Sequence, residues 1–175
     1  MNSQSFAPLL QNLFGELVFG SPDPKSRTYM LNRGDSGLLA SLDRLSAAQA
    51  SVRQVGGASI AAHADHLRYS FSLLNRWATG TLPPIDQMDW TVSWRKTTVT
   101  DAEWEALRAE LRRESAAWSE VIRTPREVSE IEAGWIMGSV AHVAYHLGAM
   151  RQIERTARGP TAEDEARIEA ELRGS

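Results

Sequence analysis

The four histidines of the chain lie in two short stretches, and imidazole is the side chain that most often binds a metal ion. His142 and His146 are four residues apart in the apolar segment GSVAHVAYHLGAMR. On a helix, residues at i and i+4 share a face with Cβ atoms about 5–6 Å apart, so both rings can reach one ion. A third ligand would have to come from SIAAHADHLRYSFSLLNRW, which holds His63 and His66. The spacing predicts one divalent metal ion between two facing helices.

The identity of the third histidine stays open at this point, because positions i and i+3 lie on neighbouring parts of one helical face. His66 could be the ligand while His63 hydrogen-bonds a ligand ring or lies on the surface of the first helical turn. Three neutral imidazoles without a thiolate suit Zn, Ni, Fe or Cu better than Ca or Mg, and we expect Zn or Ni. Three protein ligands also leave a coordination position for water or substrate, as in catalytic zinc sites.

Other residues of the chain restrict the reactions that a metal site on these histidines could carry out. The metalloprotease motif H-E-x-x-H is absent, since Val143 follows His142 where that motif has its general-base glutamate. The chain has no cysteine, so a sulfur nucleophile would have to come from a low-molecular-weight thiol cosubstrate. Arginines at positions 68, 76 and 151 could pair with a substrate carboxylate, and the tryptophans at positions 90 and 94 could line a pocket mouth.

The composition is that of an ordinary globular protein. Of 175 residues, 42% are hydrophobic and 23% charged, and 19 basic against 22 acidic residues give a net charge of −3. This charge, without a basic cluster, argues against nucleic acid as a partner and favours a small-molecule substrate. The apolar runs are too short to span a membrane, and the first twenty residues lack the basic start of a signal peptide. We expect a cytoplasmic protein.

Apolar residues at helical spacing and capping signals predict an all-α fold. Ser59 is a plausible N-cap, and Thr100 with Glu103 has the spacing of a capping box. The turn residues SPDPK and Gly56 with Gly57 separate the first three helical regions, and WTVSW shows the one weak strand-like alternation. Four long helices are predicted at about 5–19, 59–79, 101–123 and 133–157, with short helices in 38–53 and 161–172 and a long ordered loop over 80–99.

These elements predict a four-helix bundle in one domain that covers residues 1–175, with its core at about 5–158. The histidine stripe of the last long helix is otherwise made of small residues, Gly138 and Ala149. A bundle has unfilled space where such residues face a neighbouring helix. The sequence therefore predicts a cavity beside the histidines.

The order of these motifs resembles the DinB-like superfamily of helical metalloproteins. The resemblance lies in S-I followed by H-L on one helix (Ser59, Ile60, His66, Leu67) and H-x-x-x-H-x-G on the last long helix (His142, His146, Gly148). It implies a four-helix bundle, frequent dimers, and a divalent metal on His66, His142 and His146. It does not imply DNA binding.

The resemblance also suggests a reaction type. Its better understood branches resemble mycothiol-dependent maleylpyruvate isomerase and the bacillithiol S-transferases, in which a metal is thought to activate a thiol. We therefore expect a metal-dependent transferase or hydrolase that activates a thiol or water, and a homodimer is consistent with the family. Two alternatives are a non-catalytic metal- or ligand-binding bundle and a metal-free bundle whose histidines hydrogen-bond one another.

Overall fold

The structure, a computed structural model, describes residues 6–21, 23, 26–54 and 57–174. Helices account for most of these residues, and the prediction of an all-α fold is confirmed. Within the described ranges there is no strand, and Arg53 and Ser59 form an isolated antiparallel bridge. The α-helices are α1 (Phe6–Phe19), α2 (Gly37–Asp43), α3 (Ala47–Ala50), α4 (Ile60–Ala78), α5 (Asp101–Arg123), α6 (Glu130–Ile153) and α7 (Ala162–Gly174).

The starts of α4 and α5 are fixed by the capping residues that the sequence indicated. The side chain of Ser59 accepts a hydrogen bond from the backbone N–H of Ala62. Thr100 and Glu103 form a complete capping box, in which each side chain accepts from the backbone N–H of the other. These bonds satisfy backbone amides that have no partner inside the helix. The two helices therefore begin directly after their capping residues, at Ile60 and Asp101.

The predicted bounds of α6, 133–157, are wrong at both ends. The helix begins at Glu130, because the Ser129 side chain caps it by accepting from the backbone N–H of Glu132. It ends at Ile153, since Glu154 has an extended backbone (φ −134°, ψ 122°). The Glu154 carboxylate instead accepts a bond from the Thr156 N–H and begins a separate 3-10 turn over Arg155–Ala157. The expected stop at Gly159 therefore comes after the helix has already ended.

The long loop between α4 and α5 is ordered and returns to α4. It contains two 3-10 turns, Ile85–Gln87 and Val92–Trp94, and the second of these packs against α4. The weak strand-like alternation in WTVSW is thus not a strand, because its last residues turn with 3-10 hydrogen bonds such as Trp94 N–H to the Thr91 carbonyl. The loop covers one side of the α4–α6 contact.

Four long helices form the core. Helix α4 packs against both α5 and α6, and α1 packs against the same two helices. Large apolar side chains fill the space between them: the rings of Phe14 and Phe71 meet edge to face at 5.5 Å, and Trp104 and Trp118 are buried. The Trp118 indole N–H donates to the Ser139 hydroxyl at 2.9 Å, which ties α5 to α6. This packing fixes the distance between α4 and α6, the two helices that carry histidines.

Two glycines allow α1 and α2 to meet closely. Gly20 ends α1 with φ +81° and Gly37 begins α2 with φ +74°, a backbone region that favours glycine. A Cβ on Gly37 would lie 2.4 Å from the backbone nitrogen of Gly20, so a side chain could not be accommodated there. The predicted breaks at Pro22, Pro24 and Gly56 lie outside the described residues.

As for membranes, none of the helices in the described ranges combines the length and the apolar character that crossing a bilayer requires.

Candidate metal centre

The packing of α4 against α6 brings all four histidines together. His63 and His66 lie on the first half of α4, and His142 and His146 lie on the second half of α6. His63 and His146 are buried, whereas His66 and His142 are half-buried. The cluster therefore lies at the margin of the core, between two rigid helices and accessible from one side.

Three of the four rings converge through their Nε2 atoms. The distance between the Nε2 atoms of His66 and His142 is 3.2 Å, and that between the Nε2 atoms of His142 and His146 is 2.8 Å. One ring nitrogen from each of these residues lies within 4.8 Å of the others, so the three could hold one metal ion. Tetrahedral zinc with Zn–N bonds of about 2.1 Å separates its ligand nitrogens by about 3.4 Å. A small outward movement of the rings would give that spacing.

Hydrogen bonds among the three rings satisfy these Nε2 atoms poorly. A neutral imidazole carries one N–H, and its second nitrogen only accepts. The Nε2 atom of His142 faces two other Nε2 atoms and has at most one proton to share with them. A single cation, in contrast, accepts the lone pairs of all three nitrogens at once. A donor set of three imidazoles suits a transition-metal cation such as Zn, Ni, Fe or Cu.

His63 contacts His146 on the ring nitrogen that does not face His142. Its Nδ1 atom lies 2.8 Å from Nδ1 of His146, and its side chain is 8% exposed. The alternative that His63 is a surface residue is therefore wrong. Its position fits the other alternative, in which it holds the ring of a ligand histidine through the nitrogen that faces away from the metal.

The long loop supplies two contacts to His66. The buried Ser93 hydroxyl lies 3.0 Å from His66 Nδ1, and the Trp94 indole stacks on the His66 ring with a centroid distance of 4.3 Å. The sequence predicts Trp94 at a pocket mouth and does not indicate a role for Ser93. The sequence carries little signal for the contact between Ser93 and His66. Ser93 lies between two tryptophans in a loop, and a loop has no periodicity from which a contact with α4 could be predicted.

Burial keeps the cluster uncharged near neutral pH. It lowers the pKa of His63 and of His142, and together with the neighbouring histidines it lowers the pKa of His66 to about 4 and that of His146 to about 3. Asp65 has the opposite but smaller effect on His66. Neutral imidazole is the form that binds metals, so over the physiological pH range the rings are in the protonation state that can bind a cation.

The arginines expected to pair with a substrate carboxylate are otherwise engaged or exposed. Arg151 forms two hydrogen bonds with the buried Asp35, at 2.8 and 2.9 Å. Arg68 pairs with Asp65 at 2.7 Å, while Arg76 is exposed at the end of α4. The interpretation of Arg151 as a substrate clamp is wrong, because its guanidinium already binds a carboxylate of the fold.

A pocket of about 450 Å³ opens beside the cluster and reaches it at His142. Gly138, one turn before His142, lines this pocket, as the small residues of the histidine stripe predicted. Of the neighbouring loop tryptophans, Trp90 lines the pocket and Trp94 lies over the histidine rings. The candidate metal centre is therefore accessible from a cavity of the size that binds small molecules.

Comparison with known proteins agrees with this architecture. A family model described as the DinB superfamily matches residues 30–150, which is more than half of the chain. Searches of the curated proteins and of the solved structures gave no significant match. The matched region includes all of α4 and all four histidines. Because this match covers more than half of the chain, the protein belongs to the DinB superfamily.

Proposed function

We propose that this protein is a metal-dependent enzyme of the transferase or hydrolase type, with His66, His142 and His146 as the ligands of one divalent ion. The observation that supports this most directly is the convergence of the three Nε2 atoms at the edge of a pocket. Zinc or nickel is the metal that the donor set favours. A divalent cation on neutral imidazoles lowers the pKa of a bound water or thiol, which supplies a nucleophile near neutral pH.

The protein's own residues would hold the site in one geometry. If His146 binds the metal through Nε2, its proton is on Nδ1 and is donated to His63 Nδ1. By the same reasoning, His66 Nδ1–H donates to the Ser93 hydroxyl. Trp94 covers the His66 ring and excludes water from that side. The substrate would then approach from the pocket, next to His142.

The absence of a cysteine makes a thiol cosubstrate the alternative to water as nucleophile. Thiol-dependent transfer is also what the resemblance to better understood DinB-like branches suggests. A small-molecule substrate fits the pocket, whereas the homodimer and the cytoplasmic location remain predictions from the sequence.

The test uses protein without a histidine tag, freed of metal by a chelator and titrated with Co²⁺. We expect one equivalent to bind with visible absorption, and we expect 2-mercaptoethanol to add a thiolate-to-cobalt charge-transfer band. His66→Ala, His142→Ala and His146→Ala should each lose this binding while their circular dichroism stays helical. Met137→Ala, at an exposed position of α6, the helix that carries His142 and His146, is the matched control and should bind as the wild type does.

Two results would count against the proposal. If the wild type binds no metal, or if all three alanine variants bind like the wild type, the ligand assignment fails. If the metal binds but its spectrum responds to neither the thiol nor azide, the metal has no open position, and the non-catalytic bundle is the better interpretation.

A further inference from the structure

The pocket beside His142 lies between α4 and α6 and is almost entirely apolar. Its walls come from the two helices and from the loop that joins α4 to α5. Six residues define its shape: Leu73, Leu74, Trp90, Gly134, Trp135 and Gly138. None of the described residues that line it carries a formal charge at neutral pH.

The pocket exists because α6 has glycines where it faces this space. Gly134 and Gly138 lie one helical turn apart, and a Cβ built on either would meet no heavy atom within 4 Å beyond the helix's own backbone and chain neighbours. Larger side chains at these positions would enter the pocket. Glycine inside a helix costs about 1 kcal/mol relative to alanine, so two of them in one helix lower its stability while opening the cavity.

One wall of the pocket is rigid and aromatic. The Trp135 indole lies parallel to that of Trp77, with a centroid distance of 6.0 Å and an interplanar angle of 3°. Trp90 of the loop also lines the pocket, is 46% exposed and meets Tyr69 edge to face. A fixed indole and a more exposed one provide apolar contact for a flat or extended group.

Apart from the tryptophan indoles, the polar side chains among the described residues that line the pocket are those of Ser70, Ser139 and His142. The Ser139 hydroxyl is engaged, since it accepts from the Trp118 indole and donates to the Ile136 carbonyl at 2.7 Å. A charged group in the apolar part would lose its hydration without a compensating partner. The composition of the pocket therefore selects against a ligand with a charged body.

We propose that this pocket binds the uncharged, apolar body of the substrate, an alkyl or aryl group, and that the substrate's reactive end lies at His142. This inference rests on the proposed function for the identity of the reactive end. The apolar binding itself requires only the pocket. Transfer of one CH2 group from water into such a site is worth ~0.8 kcal/mol, which is about a fourfold gain in affinity.

The test measures the binding of 4-ethylphenol, 4-propylphenol and 4-butylphenol by isothermal titration calorimetry to the metal-free full-length protein. We expect affinity to rise about fourfold with each CH2 group. We also expect 3-(4-hydroxyphenyl)propanoate, whose alkyl end carries a carboxylate, to bind at least tenfold more weakly than 4-propylphenol, because its charge would enter the apolar part of the pocket. Gly138→Leu, which fills the pocket, should lower the affinity for 4-butylphenol at least tenfold. Gly134→Leu is a second pocket-filling variant with the same expectation.

Gly148→Leu is the matched control, because Gly148 is on the same helix, is exposed and also has open space at its Cβ position. It should bind 4-butylphenol as the wild type does. Equal binding by the wild type and both pocket-filling variants would overturn the inference, as would an affinity independent of chain length. Because the protein is metal-free, these results do not depend on the ligand assignment. Gly138→Leu should also still bind Co²⁺, which separates failure of the pocket from failure of the metal site.

Discussion

His146 is the histidine of the cluster whose two ring nitrogens both face other histidines. Its Nε2 atom faces His142 and its Nδ1 atom faces Nδ1 of His63, each at 2.8 Å. A neutral ring has one proton, so the nitrogen that would bind a metal ion must be the deprotonated one. If His63 accepts the Nδ1 proton of His146, this hydrogen bond fixes the tautomer and the orientation of the His146 ring. We therefore assign His63 a positioning role.

This role predicts a graded effect of substitution at position 63. His63→Leu removes the acceptor and should weaken metal binding by about 10–100-fold while one equivalent still binds. His63→Gln keeps an acceptor and should restore most of the affinity. Calorimetric titration of chelated protein with Zn²⁺ measures both. Unchanged affinity in the leucine variant would contradict the positioning role, and a lost equivalent would make His63 a direct ligand.

The spacing predicted that His142 and His146 share a helical face, but it did not decide between His63 and His66 and did not predict the contacts that support the cluster. The i, i+4 pair His142 and His146 indicates a shared helical face whatever the rest of the fold does. Choosing between His63 and His66 requires the rotation of α4 about its axis, which depends on packing with α5 and α6. Ser93 could not be predicted, because its contact with His66 depends on the path of a loop without periodicity.

At the scale of elements, capping residues decided which helix bounds were predictable. Ser59 and Thr100 precede the apolar stripes of their helices closely, and both starts are where the sequence indicated. The stripe of α6 begins only at Ile136, six residues after the helix does. The signal for the true start was the S-x-x-E spacing of Ser129 and Glu132, together with acidic residues in the first turn that favour the positive end of the helix dipole.

The ion pair between Arg151 and Asp35 joins the end of α6 to the segment before α2. Both side chains are largely buried, and Asp35 also accepts from the Gly37 N–H at 2.9 Å. Arg151→Met would leave the Asp35 carboxylate buried without its cation. We expect the free energy of unfolding to fall by about 3–5 kcal/mol, measured by urea denaturation of metal-free protein.

The control for this prediction is Arg167→Met, which breaks the exposed pair with Asp164 on α7. Exposed ion pairs contribute about 0–1 kcal/mol, so the control should change stability little. Combining Arg151→Met with Asp35→Leu should recover part of the loss, because neither buried charge is then left unpaired. If Arg151→Met costs no more than the control, the pair does not hold α6 to the α2 region.

At the scale of the whole molecule, the helices that form the core also enclose the site. Helix α7 and the residues just before it contact the loop before α2 through polar groups. Asn32 donates to the carbonyl of Pro160, which precedes α7, at 3.2 Å, and the Arg33 N–H donates to Glu165 of α7 at 3.3 Å. These contacts attach α7 to the segment before α2, while a single domain over residues 1–175 stays a prediction from the sequence. The four histidines, in contrast, lie where α4 and α6 pack, so their protonation is linked to the stability of the entire core.

This linkage predicts the pH dependence of stability. The histidines have pKa values near 6.5 when unfolded, whereas in the folded protein those of His66 and His146 are about 4 and about 3. Above pH 6.5 both states are neutral and the histidines contribute no pH dependence. Below it the unfolded chain binds protons that the folded protein does not, so unfolding becomes more favourable as the pH falls from 6.5 toward 4.

At pH 5.5, His66 and His146 together should therefore take up about two protons from solvent when the protein unfolds. Urea denaturation of chelated protein between pH 5 and 8 gives this number from the slope of the unfolding free energy with pH. The double variant His66→Gln/His146→Gln should reduce the proton uptake on unfolding by about two, and the uptake that remains comes in part from His63 and His142. Stability that does not change between pH 7 and 5.5 would mean that these rings are protonated inside the fold, and a site of protonated imidazoles could not bind a cation.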